Sequence, residues 1–222
     1  MRFPKAASTP ALHEYCRYVG RRLHRSGHDD LHGRIRLVME ALLAASRSVE
    51  ACGPAIDERM ADRDIASDQL QKTADHVRRT LASRGVKAER SKPYTDVLPS
   101  GIRPFRTAKV GDEVQLYELL LRRLEVYLPE LDPLRTDTVP ILRRQIVERV
   151  EAESGVDQAR AADAFAREAR RDAVKALEHA AVSVYGVLLG RVGRDDAARF
   201  FPRRRRQTEV EPEPEGVAPL VQ

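Results

Sequence analysis

Tryptophan is absent from this 222-residue chain, aromatic residues make up only 5% of it, and cysteine occurs twice. Each shortage excludes something. With so few rings, a core has to be assembled from Leu, Val, Ile and Ala. Cys16 and Cys52 cannot form a framework of bridges, and their spacing fits no zinc motif. A reducing, cytoplasmic setting is therefore expected. Long apolar runs are also missing. The opening MRFPKAASTPAL has no apolar core of signal-peptide length. The most apolar stretch, Ala180 to Gly190, is too short to cross a bilayer. Lysine is scarce, so most of the 39 basic residues are arginine. Together with abundant alanine, that skew reads as GC-rich coding before it reads as phosphate binding.

Catalytic signatures are missing as well. There is no Gly-x-Ser-x-Gly, no phosphate-cradling loop and no dinucleotide fingerprint. No histidine is preceded three residues earlier by glutamate, which excludes the usual ferritin-like di-iron site. His24, His28 and His32 recur at a spacing of four, as stacked zinc ligands would on one helix. Gly27 and the Asp29-Asp30 pair fall between them, so they are expected at a helix corner as solvated side chains without a metal. Both cysteines lie on apolar stripes and read as small buried hydrophobes. No enzyme activity, cofactor or small-molecule substrate is expected.

What the chain does have is helical periodicity and charge, with 33% charged and 42% hydrophobic residues. Ser8-Thr9-Pro10 is a helix start, followed by Leu12, Cys16, Val19 and Leu23 on one stripe and a stop at Ser26-Gly27. Ile35, Leu42, Val49, Ile56, Leu70 and Val77 then keep one heptad phase, broken only by Arg63. A companion phase through Leu31, Val38, Ala45, Cys52 and Ala66 is broken only by Arg59. The phase passes unchanged through Gly53-Pro54. This predicts one helix of about 55 residues, roughly 80 Å long and kinked at Pro54, and ended by Gly85. A third helix is expected from Asp112, with Val114, Tyr117, Leu121, Leu124, Leu128 and Leu131 as its stripe, widened by Leu120 and Val126, until Pro129 and Pro133 end it. A fourth is expected from a cap at Asp137 or Thr138. It carries Leu142, Ile146 and Val150, weakens at Ser154-Gly155, resumes with Phe165 and ends near Gly193. The fold class expected is all-α: an elongated antiparallel helical bundle over 1–201 with two long and two shorter helices. A disordered charged tail over 202–222 follows. The general look, rich in Arg and Ala with a Leu-Pro-Ser-Gly-Ile loop, is similar to that of bacterial helical proteins of no assigned activity, and the likeness gives no residue a role.

One interval departs from this pattern. Residues 86–111 read as a long loop without regular structure, far beyond an ordinary helix connection. Six basic residues in 87–110 face only Glu89 and Asp96, which accounts for most of the chain's +5 net charge. Val97, Leu98, Ile102 and Phe105 are expected to pin the loop to the bundle. Tyr94, Arg103, Phe105, Arg106 and Lys109 form the candidate partner-binding set, since basic side chains interleaved with rings suit phosphate or an acidic partner. The expected role is a non-enzymatic scaffold or protein-interaction module, working through a protein partner or self-association. The alternative is a nucleic-acid-associated protein using this loop and Arg203 to Arg206, whose charges the following glutamates oppose.

Overall fold

A computed structural model describes residues 3–4 and 7–202; the expected tail and Arg203 to Arg206 lie outside the described residues. The fold is all-α, with no strand among the described residues. In chain order the helices are α1 (Thr9–Arg25), α2 (Asp29–Ala82), a 3-10 turn (Ala88–Arg90), α3 (Tyr94–Val97), α4 (Arg103–Arg106), α5 (Glu113–Tyr127), α6 (Pro133–Val192) and α7 (Arg194–Arg199). Ser8 caps α1 by accepting from the Ala11 N–H at 3.4 Å, and Gly27 takes the left-handed conformation after its last turn, at φ 73°. Pro54 lies inside α2, which runs through Gly53-Pro54 without reversing, as the unbroken heptad phase predicts.

Several boundaries differ from expectation. α2 ends at Ala82, and Gly85 is not among the left-handed residues; Lys87 is, at φ 64°. Pro133 starts α6 instead of ending the helix before it. The Asp132 carboxylate accepts from the Leu134 N–H at 2.9 Å, an N-cap followed by proline in the first turn, so neither Asp137 nor Thr138 is needed as a cap. Ser154-Gly155 does not interrupt α6. Residues 86–111 are not an unstructured loop, because the 3-10 turn, α3 and α4 fall within them. Phe165, expected in the core, is 72% exposed; Leu131, Val126 and Val150 are exposed as well.

The chain divides into two compact units. Among the described residues, the first comprises those up to 44 and from 171 to 202, and the second residues 45–170. In the first, Leu12, Val19 and Leu23 of α1 pack with Leu31, Ile35 and Leu42 of α2 and with Leu177, Ala181, Val184 and Leu188 of α6. Arg191 of α6 closes on Asp30 of α2 through two hydrogen bonds of 3.0 and 2.8 Å. α6 holds an 18-residue window of mean hydropathy 1.2, apolar enough by length and composition to cross a membrane. Four of its apolar side chains, 177 to 188, are spent in this core. Phe3, Tyr15, Tyr185 and Phe201 meet edge-on or tilted at centroid distances of 5.6 to 6.4 Å, so several of the chain's few rings are gathered here.

In the second unit Leu70, Ala74, Val77 and Leu81 of α2 pack with Tyr117, Leu120 and Leu124 of α5 and with Leu134, Leu142 and Ile146 of α6. Polar pairs set the register of α2 on α6. Thr73 donates to Gln145 at 2.8 Å, Arg149 donates to Ser67 at 2.9 Å, and Arg84 grips Asp132 with two hydrogen bonds of 2.8 and 2.7 Å. The two exceptions in the heptads of α2 find places here. Arg63 lays its stem in the stripe and turns its head to Asp64. Arg59 lies over Gly155, where an added Cβ would be 3.3 Å from its Cδ. The small residue in α6 is therefore a seat for a long side chain.

Asp132 both caps α6 and pairs with Arg84, whose hydrogen bonds hold its carboxyl below the ordinary carboxylate range. A depressed carboxyl contributes stability above its unfolded value, near 3.9, and loses it as pH falls through the folded value. An asparagine side chain at this position would keep the cap and lose the ion pair. Asp132→Asn is therefore expected to lower the urea midpoint at pH 7, with the gap to wild type closing below about pH 4. A gap that is unchanged or wider at pH 3 contradicts the assignment.

Candidate functional site

The basic crossover segment divides its side chains between two environments. Tyr94 and Phe105 are buried with Val97 and Leu98 in the second unit's core, and Phe105 lies 5.3 Å from the Tyr117 ring. The anchoring expected of Val97, Leu98, Ile102 and Phe105 is present, with Ile102 partly buried against the same cluster. Those rings are thus committed to packing and are not offered to a ligand. Arg106 reaches back to Asp75 at 2.8 Å, while Arg103 and Lys109 are exposed. The structure does not bring the five candidate residues onto one surface.

A denser basic surface stands on α1. Pro10 and Ser8 start that helix, and the buried stripe at 12, 16, 19 and 23 fixes its rotation. The opposite face then presents Arg17, Arg21 and Arg25 four residues apart, with Arg22 beside them. All four line a cleft of about 680 Å³ that also includes Tyr15 and Tyr18, with Glu14 the only acidic side chain among the described residues lining it. Arg22 is held in place: its guanidinium lies 5.7 Å from the Tyr18 ring centre and donates to the Arg199 carbonyl at 3.2 Å. Tyr18 itself is 42% exposed.

Tyr15 also lines the cleft. Only 7% exposed, it packs against Phe3 and Phe201, and its hydroxyl has no hydrogen-bond partner among the described residues. Burial, and secondarily Cys16, pushes its ionisation well above the ordinary tyrosine range, so the phenol keeps its proton. An unpaired buried hydroxyl costs roughly 1–3 kcal/mol, and this oxygen is itself shielded from solvent. The neighbouring Cys16 is buried and its thiol is pushed up to about 12 by that burial, which makes it a packing group and not a nucleophile.

A second polar cluster lies inside the other unit. Arg149, 1% exposed, donates from Nε to Glu113 and Ser67, both at 2.9 Å, and from Nη1 to Glu153 at 2.8 Å. Ser67 donates to Glu113 at 2.9 Å. Arg149 Nη2 is buried without a hydrogen-bond partner among the described residues, while its Nε and Nη1 are held, so the cluster serves chiefly to tie helices together. Sequence reasoning missed both the α1 face and this cluster. The signal for the first was the four-residue spacing of arginines opposite an apolar stripe. The signal for the second was an arginine seven residues after Leu142, in the phase of the buried face.

Comparison of the chain with protein families, with curated proteins and with solved structures finds no match.

Proposed function

We propose that this protein is a non-enzymatic interaction module, an antiparallel helical bundle that presents the arginine face of α1 to an acidic protein partner. One observation carries the reading: four arginines line one cleft that has a single opposing carboxylate among the described residues. Guanidinium groups bind carboxylates through paired, directional hydrogen bonds, which makes arginine more selective than lysine for such a partner. Support for the bundle comes from the order of contacts in the second unit: positions 67 and 73 of α2, and Arg84 just after it, meet 149, 145 and 132. As one number rises the other falls, the signature of antiparallel helices. Arg103 and Lys109 of the crossover segment are a separate, smaller basic surface in this reading. The two free thiols suit a reducing, cytoplasmic compartment.

Nucleic acid is the second reading, favoured by exposed Tyr18 among the arginines. A ring flanked by guanidinium groups suits base stacking with phosphate contacts on either side. A single experiment separates the two. A fluorescent glutamate-rich peptide and a fluorescent single-stranded oligonucleotide are titrated with wild type and with the Arg17→Glu/Arg21→Glu double variant at two salt concentrations. Wild type is expected to bind the peptide in a salt-dependent way, and the double reversal to weaken binding by about tenfold or more, equivalent to about 1.4 kcal/mol. Preference for the oligonucleotide, with affinity falling steeply in salt, establishes the second reading instead. Equal behaviour of wild type and variant with both probes removes the cleft from the function.

A further inference from the structure

We propose that the corner between α1 and α2 is a site for a divalent transition-metal ion, with His24, Asp29 and His32 as its protein ligands. His24, His28 and His32 span a helix corner, as Gly27 and the Asp29-Asp30 pair lead one to expect, and do not stack on one helix. Gly27 turns the chain at φ 73°, so His24 ends one helix while Asp29 and His32 begin the next. His28 is drawn away, its ring 5.5 Å from that of Phe200. Asp29 takes its place. His24 Nδ1 and Asp29 Oδ1 stand 2.7 Å apart, and the rings of His24 and His32 have centres 5.4 Å apart. One ligand atom from each of the three residues lies within 4.8 Å of both others.

Those distances suit a small metal ion. Imidazole nitrogen and carboxylate oxygen bind zinc at roughly 2.0–2.2 Å, which sets neighbouring ligand atoms about 3.3–3.5 Å apart on a tetrahedron. The adjustment of roughly an ångström that this geometry asks of the three atoms is within reach of side-chain rotation, because His24 and Asp29 are exposed and His32 is half-buried. The backbone beneath them is fixed by the corner's own hydrogen bonds, from His28 N to the Leu23 carbonyl at 2.9 Å and from His32 N to the His28 carbonyl at 3.0 Å. Gly20 completes the seat. A Cβ there would lie 3.2 Å from His32 Cδ2, so the glycine lets that ring lie close against α1.

Two imidazoles and one carboxylate form a borderline donor set that favours zinc, cobalt, nickel or copper over magnesium or calcium. Three protein ligands leave a fourth position for water or for a group from outside. Binding replaces the His24–Asp29 hydrogen bond, and any proton on a ligating nitrogen leaves to solvent. Charge works in both directions. Asp29 attracts the cation, while Arg17, Arg21 and Arg36 line the same groove and oppose it, with Arg36 partly offset by Glu40 at 3.6 Å. The expected affinity is therefore on the order of micromolar, below that of structural zinc sites. A bound ion would cross-link the last turn of α1 to the first of α2. The site does not depend on the anion-binding cleft, and its test uses no acidic ligand.

The full chain is titrated with Co²⁺ and, separately, with Zn²⁺, the first followed by its visible absorption and the second by calorimetry. One ion per chain is expected, with a cobalt spectrum of low coordination number and a higher melting temperature in zinc. His24→Ala and His32→Ala should each weaken binding by at least the roughly 10- to 100-fold that disturbing an outer-shell partner costs. Asp29→Asn should weaken it and change the cobalt spectrum. His28→Ala, which removes a ring outside the site, should leave the cobalt spectrum and affinity as they are. Because these residues are exposed or half-buried, circular dichroism of each variant is expected to match wild type. The proposal is overturned if no stoichiometric binding occurs, if His32→Ala binds like wild type, or if His28→Ala weakens binding as much as the others.

Discussion

Glu113→Ala is expected to destabilise the protein by about 3–5 kcal/mol, because it leaves the Arg149 guanidinium buried without its principal counter-charge. Glu113 is almost wholly buried at the start of α5 and receives hydrogen bonds from Arg149 and Ser67, both of 2.9 Å. Glu153 still holds Arg149 at 2.8 Å, but about a third of its side chain meets solvent. The low end of that range is therefore expected for Glu113→Ala, and about 1 kcal/mol or less for Glu153→Ala. A second variant separates a lost contact from an orphaned charge. If the orphaned guanidinium is the cause, adding Arg149→Met to Glu113→Ala should restore most of the loss, since apolar replacements of a whole buried pair are often neutral or stabilising. Urea unfolding of the three variants reads all of this. A double variant as unstable as Glu113→Ala alone would assign the cost to a cavity instead of a charge.

This cluster also marks where the sequence stops being legible. The stripe of α1 and the unbroken phase through Gly53-Pro54 can be read directly, because apolar residues there repeat at helical spacing; those toward the two ends of α2 fill the cores, while Ala45, Val49, Cys52 and Ile56 are half-buried. Arg149 repeats at the same spacing, seven after Leu142, yet is a charged residue; Val150 beside it is apolar and is the natural choice. The core takes Arg149 at 1% exposure and leaves Val150 at 49%. Hydrophobicity alone misassigns such a position, since the burial of the arginine depends on Glu113 and Ser67, which lie 36 and 82 residues away. The basic surface is misplaced for a related reason. Residues 17–25 carry four arginines and no carboxylate, a denser run than 87–110, but they sit within a regular helical stripe and so read as an ordinary solvated face. Only the fold shows Arg17, Arg21 and Arg25 lining one cleft with Arg22. The corner of His24 and His32 is legible as a corner. That Asp29, and not His28, completes it follows from a turn whose direction periodicity does not specify.

The crossover segment raises the last expectation, and it concerns what its aromatic residues are for. Phe105 stands on a single turn of helix, α4, that is too short to hold itself in water. Its ring is buried against Tyr117 in the same core as Val97 and Leu98. Removing that ring leaves a cavity beside Tyr117 and takes from α4 its buried side chain, so Phe105→Ala is expected to cost about 3–5 kcal/mol. Amide exchange should accelerate most in α3 and α4, where the short helices depend on this anchor. Charge reversal of Arg103 and Lys109 on the same segment should change stability by less than about 1 kcal/mol, because exposed charges contribute little. Including Arg106 in the reversal adds the loss of its bond to Asp75, which is half-exposed and belongs to the same small class. The contrast is the test. If Phe105→Ala leaves the urea midpoint unchanged while the charge reversals lower it, the segment is held by its ion pairs, and its buried ring is not the anchor that makes 94–106 part of the core.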